Sequence, residues 1–140
     1  MIRALVPIRV TLLLLALVLG MPAVAANADG PVHQVRIYRI HPGNERAFHE
    51  RFRDHAMRIM AKHGFRIVAT WESKRDEGTE FVYLLEWPDE ATLTSGWAAF
   101  MADGEWSAIK RETGSVHGTF VDGIEDRTLK RTDYSPTRSF

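Results

Sequence analysis

The sequence predicts an α+β domain in which helices cover one face of an antiparallel β-sheet. Apolar and β-branched residues alternate with polar residues in four separate stretches, which is typical of strands. Between the first and second stretches, and between the third and fourth, apolar residues recur every three or four positions, as in amphipathic helices. The third stretch, EFVYLLEW, is apolar on both of its faces, so both faces of the sheet need cover.

Residues 1–26 have the three parts of a secretory signal peptide. Two arginines lie in MIRALVPIR, the apolar run VTLLLLALVLG follows, and small residues end the segment in PAVAA. The run is shorter than the roughly 20 residues that a membrane span needs, and Pro22 interrupts its extension. We expect cleavage after Ala25 or Ala26, no stable membrane anchor after cleavage, and a periplasmic or secreted protein.

Composition excludes several classes of function. The chain has no cysteine, which excludes disulfides, thiol catalysis and cysteine-ligated metals. Loss of residues 1–26 removes two of the 18 Lys and Arg residues and none of the 18 Asp and Glu residues, leaving a net charge of −2. Charges of both signs are interspersed, so no basic stripe could follow a phosphate backbone. We expect no nucleic-acid partner.

The first half of the folded region predicts strand, helix, strand. After a linker at residues 27–31, VHQVRIYRI is a strand by its β-branched content. Asn44 lies where it could cap a helix over residues 45–63, which Gly64 ends. The buried face of this helix is predicted to consist of Phe48, Phe52, Ala56, Ile59 and Met60. Uninterrupted alternation in the next strand, FRIVATWES, would put Val68 on one face and these residues on the other: Phe65, Ile67, Ala69 and Trp71.

The second half predicts strand, helix, strand. EFVYLLEW forms a hairpin with the preceding strand through the charged loop KRDEGT. Asp89 is placed to cap a second helix, which residues 103–104 interrupt and Gly114 ends. The inner side of this helix is predicted to carry Leu93, Trp97, Phe100, Met101, Trp106 and Ile109. HGTFVDGIEDRTL is the fourth strand, with a bulge near Gly123.

The predicted order, β-α-β-β-α-β, is the ferredoxin-like or split-βαβ arrangement. It has a four-stranded antiparallel sheet with both helices on one face, and it occupies residues 32–136, with a C-terminal tail at residues 137–140. Nothing in the chain covers the other face of the sheet. Because a two-fold axis makes one apolar patch self-complementary, a second copy could cover it. We expect a homodimer whose two sheets form a dimeric α/β barrel.

Four segments resemble the NIPSNAP family, within the dimeric α/β-barrel superfamily: VHQVRIYRIHPGN, FVYLLEWPD, FMADGEWSAIKRE and LKRTDYSP. Arg36 and Tyr38 stand at that family's recurrent Arg and Tyr positions, whereas Gln34 stands where an acidic residue is more usual. The resemblance implies a homodimer whose sheets enclose a lumen. It does not imply one activity: members are linked to trafficking, signalling or interaction roles, and superfamily relatives include cofactor-free monooxygenases, haem-degrading enzymes and small-lactone isomerases.

Two groups of residues are candidates for ligand binding. Gln34, Arg36 and Tyr38 share one face of the first strand because they are two positions apart. If that face looks into the lumen, Arg36 could bind a carboxylate or enolate and Tyr38 could orient it; otherwise the three form internal hydrogen bonds. The four tryptophans either line a pocket for an apolar ligand or pack in the core, and Trp71 is the one expected to contact a ligand.

The six histidines do not form a metal-binding pattern. His49, His55 and His63 lie on the first predicted helix, but no two have the i, i+4 spacing that brings two imidazoles to one ion. The second predicted helix contains no histidine, which argues against the haem ligation of haem-degrading relatives. We expect no metal and no cofactor. His117, placed at the start of the fourth strand, is the best remaining candidate for a catalytic acid or base.

Two functional hypotheses remain open, besides a purely structural dimer whose lumen is filled by side chains, and the sequence does not decide whether the protein is an enzyme. The first is an exported homodimer that binds a small apolar or amphipathic ligand, or a protein partner, through its barrel. The alternative is a cofactor-free monooxygenase or isomerase acting on an aromatic or enolisable molecule. In that enzyme Arg36 would hold the anion, Tyr38 would orient it and His117 would move a proton. The alternative requires these three side chains to converge on one water-excluding cavity.

Overall fold

A computed structural model describes residues 30–136 of the 140-residue chain. The predicted signal peptide, the first residues of the linker and the C-terminal tail at 137–140 lie outside the described residues. Within residues 30–136 no helix is long and apolar enough to cross a membrane.

The strands form one antiparallel sheet in the order β2-β3-β1-β4. Their bounds are β1 Val32–Ile40, β2 Arg66–Arg75, β3 Gly78–Trp87 and β4 Val121–Lys130. The inner strand β1 pairs with both β3 and β4, so β2 and β4 lie at the two edges. Every residue of the edge strand β4 from Ile124 to Lys130 is exposed, and four of these seven residues are charged. The predicted ferredoxin-like α+β architecture is confirmed for the single chain.

The helices are α1 Glu45–Arg51, α2 Met57–Lys62, α3 Glu90–Met101 and α4 Gly104–His117. A π-helical turn, Phe52–Ala56, connects α1 to α2, so the predicted uninterrupted α-helix is wrong in its middle. Its five predicted apolar residues are nevertheless all buried. Residues four apart lie on the same side of a helix, and Phe52 and Ala56, at the two ends of the π-helical turn, both remain buried.

The helix ends depend on specific side chains. Asp89 and Asp103 cap α3 and α4, each by accepting a backbone N–H three residues later, at 2.7 and 3.0 Å. Asn44 makes no such cap, contrary to prediction. Its Nδ2 instead donates to the carbonyl oxygens of His117 and Thr119, at 2.9 and 2.6 Å. Asn44 therefore joins the start of α1 to the connection between α4 and β4.

The last helix is longer than predicted. The interruption at residues 103–104 separates α3 from α4 as expected, but α4 continues past Gly114 to His117. Gly118 then adopts a φ of 71°, a left-handed conformation that glycine tolerates and that commonly ends a helix. The prediction that His117 begins the fourth strand is therefore wrong, since the strand starts at Val121.

The core lies between the helices and one face of the sheet. The β3 side chains on that face are at most 4% exposed: Phe81, Tyr83, Leu85 and Trp87. Phe52 packs against Tyr83 at 5.2 Å between ring centroids, and Phe65 packs against Trp87 at 4.6 Å. The helices thus cover the aromatic face of β3. Of the predicted inner residues of α3 and α4, Met101 is the exception, because it is 55% exposed.

Two bulges adjust the register of the sheet. In β4 the bulge is at Asp122, which pairs with no residue of β1 because Arg39 pairs with Gly123 and Ile40 pairs with Val121. The bulge was predicted near Gly123, the next residue. In β2 the register shifts at Val68, which was not predicted. One extra residue reverses the faces of all residues beyond it, so Ile67 pairs on the core side while Trp71 lies on the opposite side. The predicted common face of Ile67 and Trp71 is therefore wrong.

Candidate functional site

The sheet face opposite the helices, here the open sheet face, carries apolar side chains from all four strands. They are Val35, Ile37, Trp71, Val82, Leu84 and Leu129. Alternation along each strand places them there, because their immediate neighbours contact the helices. Trp71 is 52% exposed and Leu129 is 42% exposed. Within residues 30–136 no helix packs on this surface, as expected from the doubly apolar third strand.

Charged side chains of both signs surround the open sheet face. On one side Arg66 forms an ion pair with Glu86, which also lies 3.1 Å from the Nε2 atom of His33. On another, Arg127 forms an ion pair with Glu125 at 2.7 Å. Each side of the face therefore presents positive and negative groups together, and neither sign dominates the surface.

A groove of about 350 Å³ opens on this face where the chain leaves β4. This open-face groove is lined by His33, Leu84, Leu129, Lys130, Arg131, Thr132 and Ser135. Its floor is apolar, formed by Leu84 and Leu129. Arg131 lies at its polar end, with a guanidinium nitrogen 3.4 Å from His33 Nε2. An apolar floor beside a cationic group matches the chemistry of an amphipathic molecule with a negatively charged end.

Gln34 lies on the helix-covered face and is 2% exposed. Its Oε1 accepts hydrogen bonds from the indole N–H groups of Trp87 and Trp97, at 3.2 and 2.8 Å. Its Nε2 donates to the carboxylate of Asp126 at 2.9 Å. Both ends of the amide are therefore used within the protein, as expected for a buried polar group.

Arg36 lies beside Gln34 and contacts Asp126 and Trp97, as well as the next residue of the row, Tyr38. Its Nη1 donates to Oδ2 of Asp126 at 2.6 Å, and its guanidinium carbon lies 4.3 Å from the centroid of the Trp97 ring. Its Nε is buried and has no hydrogen-bond partner among the described atoms. Position 34 is a glutamine and supplies no acidic partner to Arg36. The acidic partner is instead Asp126 on the neighbouring strand β4.

Tyr38 completes this row of side chains. Its hydroxyl lies 2.9 Å from the hydroxyl of Tyr83 and accepts a hydrogen bond from Arg36 at 3.3 Å. Burial raises the pKa of Tyr83 well above its ordinary value of 10.0, and the neighbouring Tyr38 raises it further. Tyr83 therefore remains protonated and can donate. The row Gln34, Arg36 and Tyr38 is thus an internal polar network between sheet and helices.

The structure does not bring all the predicted site residues together. Trp71 lies on the open sheet face, while Gln34, Arg36 and Tyr38 lie on the opposite face of the sheet. His117 is exposed at the end of α4, and none of the hydrogen bonds within residues 30–136 joins it to Arg36 or Tyr38. The convergence on one cavity that the enzyme hypothesis requires is not observed.

Two residues of the polar network were not found from the sequence. Asp126 lies 90 positions from Arg36, and only the strand register, which pairs the two directly, reveals the contact. Trp97 was predicted as a core residue, but its indole N–H and its ring face both contact the network. Within residues 30–136, no group of three or more His, Asp or Glu side chains is arranged to hold a metal ion.

Comparison with known proteins places the fold. The architecture of residues 30–136 is that of a ferredoxin-like α+β protein, and no helix within these residues covers the second face of the sheet. The NIPSNAP family model matches residues 33–136, and the chain belongs to the NIPSNAP family. No curated protein matches the sequence.

Solved structures of the same family have a similar fold. A NIPSNAP-like domain protein from Burkholderia xenovorans, described as uncharacterized, has 18% identity and a TM-score of 0.66, with 78% of this chain and 91% of that chain covered. A NIPSNAP family protein from Agrobacterium tumefaciens has 20% identity and a TM-score of 0.66, covering 77% and 99%. A second one, described as having unknown function, has 19% identity and a TM-score of 0.66, covering 78% and 95%. At these identities the likeness concerns the fold alone.

Proposed function

We propose that this NIPSNAP protein is exported and acts as a homodimer that binds a small amphipathic ligand at the joined sheets. The observation that carries the proposal is the open sheet face, which presents apolar side chains from four strands and is covered by no helix of residues 30–136. A patch of that kind is typical of an interaction surface. A second copy is the occupant best supported, since the patch is flanked by charges of both signs and can complement itself about a two-fold axis.

Burial of apolar side chains favours association. Burying a fully exposed Val, Leu or Ile side chain contributes roughly 1.5–3 kcal/mol. The six apolar side chains of the open sheet face are already partly buried in one copy, so each contributes less than this toward the about 4–15 kcal/mol that association costs. Trp71, the largest of the six, is 52% exposed and is of a residue type enriched at the centres of interfaces.

The ligand half of the proposal rests on the open-face groove. Its volume of about 350 Å³ lies within the range of small-molecule sites. The apolar floor of Leu84 and Leu129 suits a hydrocarbon or aromatic portion, and Arg131 suits a negatively charged end. When a second sheet packs on the open sheet face, the groove becomes more enclosed and excludes more water from a ligand.

The dimer is tested by sedimentation of the chain purified from its exported fraction at micromolar concentration. Leu84→Arg places a charge in the middle of the open sheet face and is expected to give the monomer mass. Ala98→Arg, on the exposed side of α3, is the matched control and should keep the dimer mass. A monomeric wild-type protein, or an Ala98→Arg protein that dissociates as fully as Leu84→Arg, would contradict the proposal.

Native mass spectrometry of the same exported protein tests export and ligand binding. The mass of the protein without residues 1–26, or without residues 1–25, is expected, together with a retained small molecule of amphipathic character. Arg131→Gln should reduce the retained fraction without changing the dimer mass. A clean, empty dimer in repeated preparations would contradict the ligand half, and a full-length mass would contradict signal-peptide cleavage.

The enzyme alternative has weaker support. Tyr38 and His117 line different cavities, and Arg36 is already paired with Asp126 rather than directed at open space. A monooxygenase or isomerase built on these three residues is therefore not the function that the geometry favours. Arg36→Ala is expected to reduce stability, whereas a catalytic role would require loss of turnover with stability retained.

A further inference from the structure

Arg51, the last residue of α1, is half-buried between α4 and the start of β4. Its guanidinium carbon lies 3.5 Å from the centroid of the Phe120 ring and 5.7 Å from that of Trp106. Its Nη1 donates to Oγ1 of Thr113 at 3.3 Å, a long and weak hydrogen bond. The guanidinium is thus held in place by aromatic and hydroxyl neighbours, all of which are uncharged.

Arg51 has no carboxylate partner. Among residues 30–136, no Asp or Glu oxygen lies within 4.0 Å of its guanidinium nitrogens, although acidic residues precede and follow it closely. Glu50 pairs with Arg46 at 2.8 Å, and Asp54 pairs with Arg53 at 2.6 Å. Burial lowers the pKa of Arg51 to about 10, because the charged form loses solvent without gaining an anion. The Phe120 ring offsets part of this cost through a cation–π contact, and a carboxylate would add the charged hydrogen bonds that the guanidinium lacks.

The guanidinium lies in the wall of a groove of about 300 Å³ on the outer side of the helical layer. This Arg51 groove is lined by Ala47, Glu50, Arg51, Arg53, Asp54, His55, Thr113, His117 and Phe120. Arg51 also borders a smaller cavity of about 40 Å³, which Tyr38 and Trp106 line with apolar residues. The larger groove has the room and the polar lining that a small anion needs.

The π-helical turn lies beside the Arg51 groove. It begins at Phe52, directly after Arg51, and it contains His55, which lines the groove. Such turns occur frequently at functional sites, where they alter which side chains face a ligand. His117, at the end of α4, lines the groove from the other helix. Two imidazoles from different elements thus share the groove with the uncompensated guanidinium.

We propose that the Arg51 groove binds a small carboxylate, with the guanidinium of Arg51 as its principal contact. The two oxygens of a carboxylate match the parallel N–H groups of a guanidinium. The imidazole of His117 supplies a further donor within the groove, whereas the Thr113 hydroxyl already donates to the carbonyl oxygen of Ile109 at 2.7 Å. Glu50 and Asp54 on its rim disfavour a dianion, so a singly charged carboxylate is preferred over phosphate. This site lies on the helical side of the sheet and does not depend on the proposed dimer or the open-face groove.

The test is nuclear magnetic resonance of the purified chain, labelled at the arginine Nε and histidine ring nitrogens. Sodium acetate is titrated against sodium chloride at equal ionic strength, and sodium phosphate is titrated in parallel. We expect the signals of Arg51 and His117 to shift saturably with acetate and not with chloride. Arg51→Gln should weaken the response of His117 to acetate at least about tenfold, as expected for loss of a charged hydrogen bond.

Arg53→Gln is the matched control, because Arg53 lines the same groove but is paired with Asp54, and it should bind acetate as the wild-type protein does. If Arg51→Gln fails to fold, Arg51→Lys retains the charge without the parallel N–H groups and should weaken binding while keeping some of it. Equal responses to acetate and chloride would overturn the proposal. So would tighter binding of phosphate than of acetate, or equal losses in Arg51→Gln and Arg53→Gln.

Discussion

The indole N–H of Trp97 donates to Oε1 of Gln34 at 2.8 Å, and this bond joins helix α3 to the inner strand β1. The same oxygen accepts the N–H of Trp87, so one buried amide satisfies two tryptophans. Replacement of Gln34 by an apolar residue would leave both N–H groups buried without an acceptor.

Gln34→Leu is therefore expected to reduce the free energy of unfolding by about 2–4 kcal/mol, since each unsatisfied buried group costs about 1–3 kcal/mol. Urea unfolding followed by tryptophan fluorescence measures the change. Thr128→Val is the control, because Thr128 pairs with Gln34 across the strands but is exposed, and its effect should stay within about 0.5 kcal/mol. Equal stabilities for Gln34→Leu and wild type would mean that this oxygen is not an essential acceptor.

Two helical glycines give opposite expectations for the same substitution. A Cβ at Gly96 would lie 2.7 Å from the ring of Trp87, whereas at Gly114 nothing lies within 4 Å. Gly96→Ala should destabilise the domain by about 1–3 kcal/mol through overpacking. Gly114→Ala should stabilise it by about 0.5–1 kcal/mol, because alanine restricts the unfolded chain and favours the helix. Thermal unfolding of both variants checks the pair, and effects of the same sign would contradict the geometry.

Asp103 is expected to make the stability of the domain depend on pH. Its carboxylate accepts hydrogen bonds from His63, from the backbone of Trp106 and from Lys62, and these hold its pKa well below the ordinary value of 3.8. A carboxyl group with a lowered folded pKa contributes stability that is fully present above its unfolded pKa and is lost as the pH falls below it. The melting temperature of the wild type should therefore exceed that of Asp103→Asn at pH 7, and the difference should shrink below pH 3.8.

The exposed hairpin residue Asp76 supplies the control for that measurement. Asp76→Asn should melt in parallel with the wild type across the whole pH range. A constant difference between Asp103→Asn and wild type down to pH 2 would show that the carboxylate contributes through its shape and not through its charge.

The bulge at Val68 can be removed by deleting that residue. Without it, strand alternation directs Trp71 toward the helices or turns Ile67 out of the core. Deletion is expected to cost about 2–5 kcal/mol, comparable to the loss of one large core side chain. Val68→Ala retains the bulge and should cost about 1 kcal/mol. Urea unfolding compares the two, and a deletion variant as stable as Val68→Ala would show that β2 adapts its register freely.

Local patterns predicted the elements because each element depends on nearby residues. Alternation placed β1 at its observed bounds, and spacing placed Gln34, Arg36 and Tyr38 on one face. The choice between the two faces depends on which side of β3 the helices cover, and β3 is apolar on both. That choice is a tertiary property and could not be predicted from the strand alone.

The bulge and the arginine contacts were beyond local patterns for different reasons. A single unpaired residue, Val68, reverses the face of Trp71, and nothing in its neighbours requires a bulge. Arg51 stands in a run of mixed charges with Glu50, Arg53 and Asp54, and such a run is typical of a solvated helix face. Its position three residues after the buried Phe48 and one before the buried Phe52 was the available signal that it flanks the core.

The charges of β4 have a consequence for assembly. Strand edges with free backbone groups can recruit further strands without limit, and such growth produces fibres. The outer strand β4 carries Glu125, Asp126, Arg127 and Lys130 along its exposed half, which opposes this growth. Association through the open sheet faces stops at two copies, because a two-fold pair buries both of these faces and leaves neither exposed. For the proposed homodimer, the charged edge therefore favours a closed pair of sheets over an open polymer.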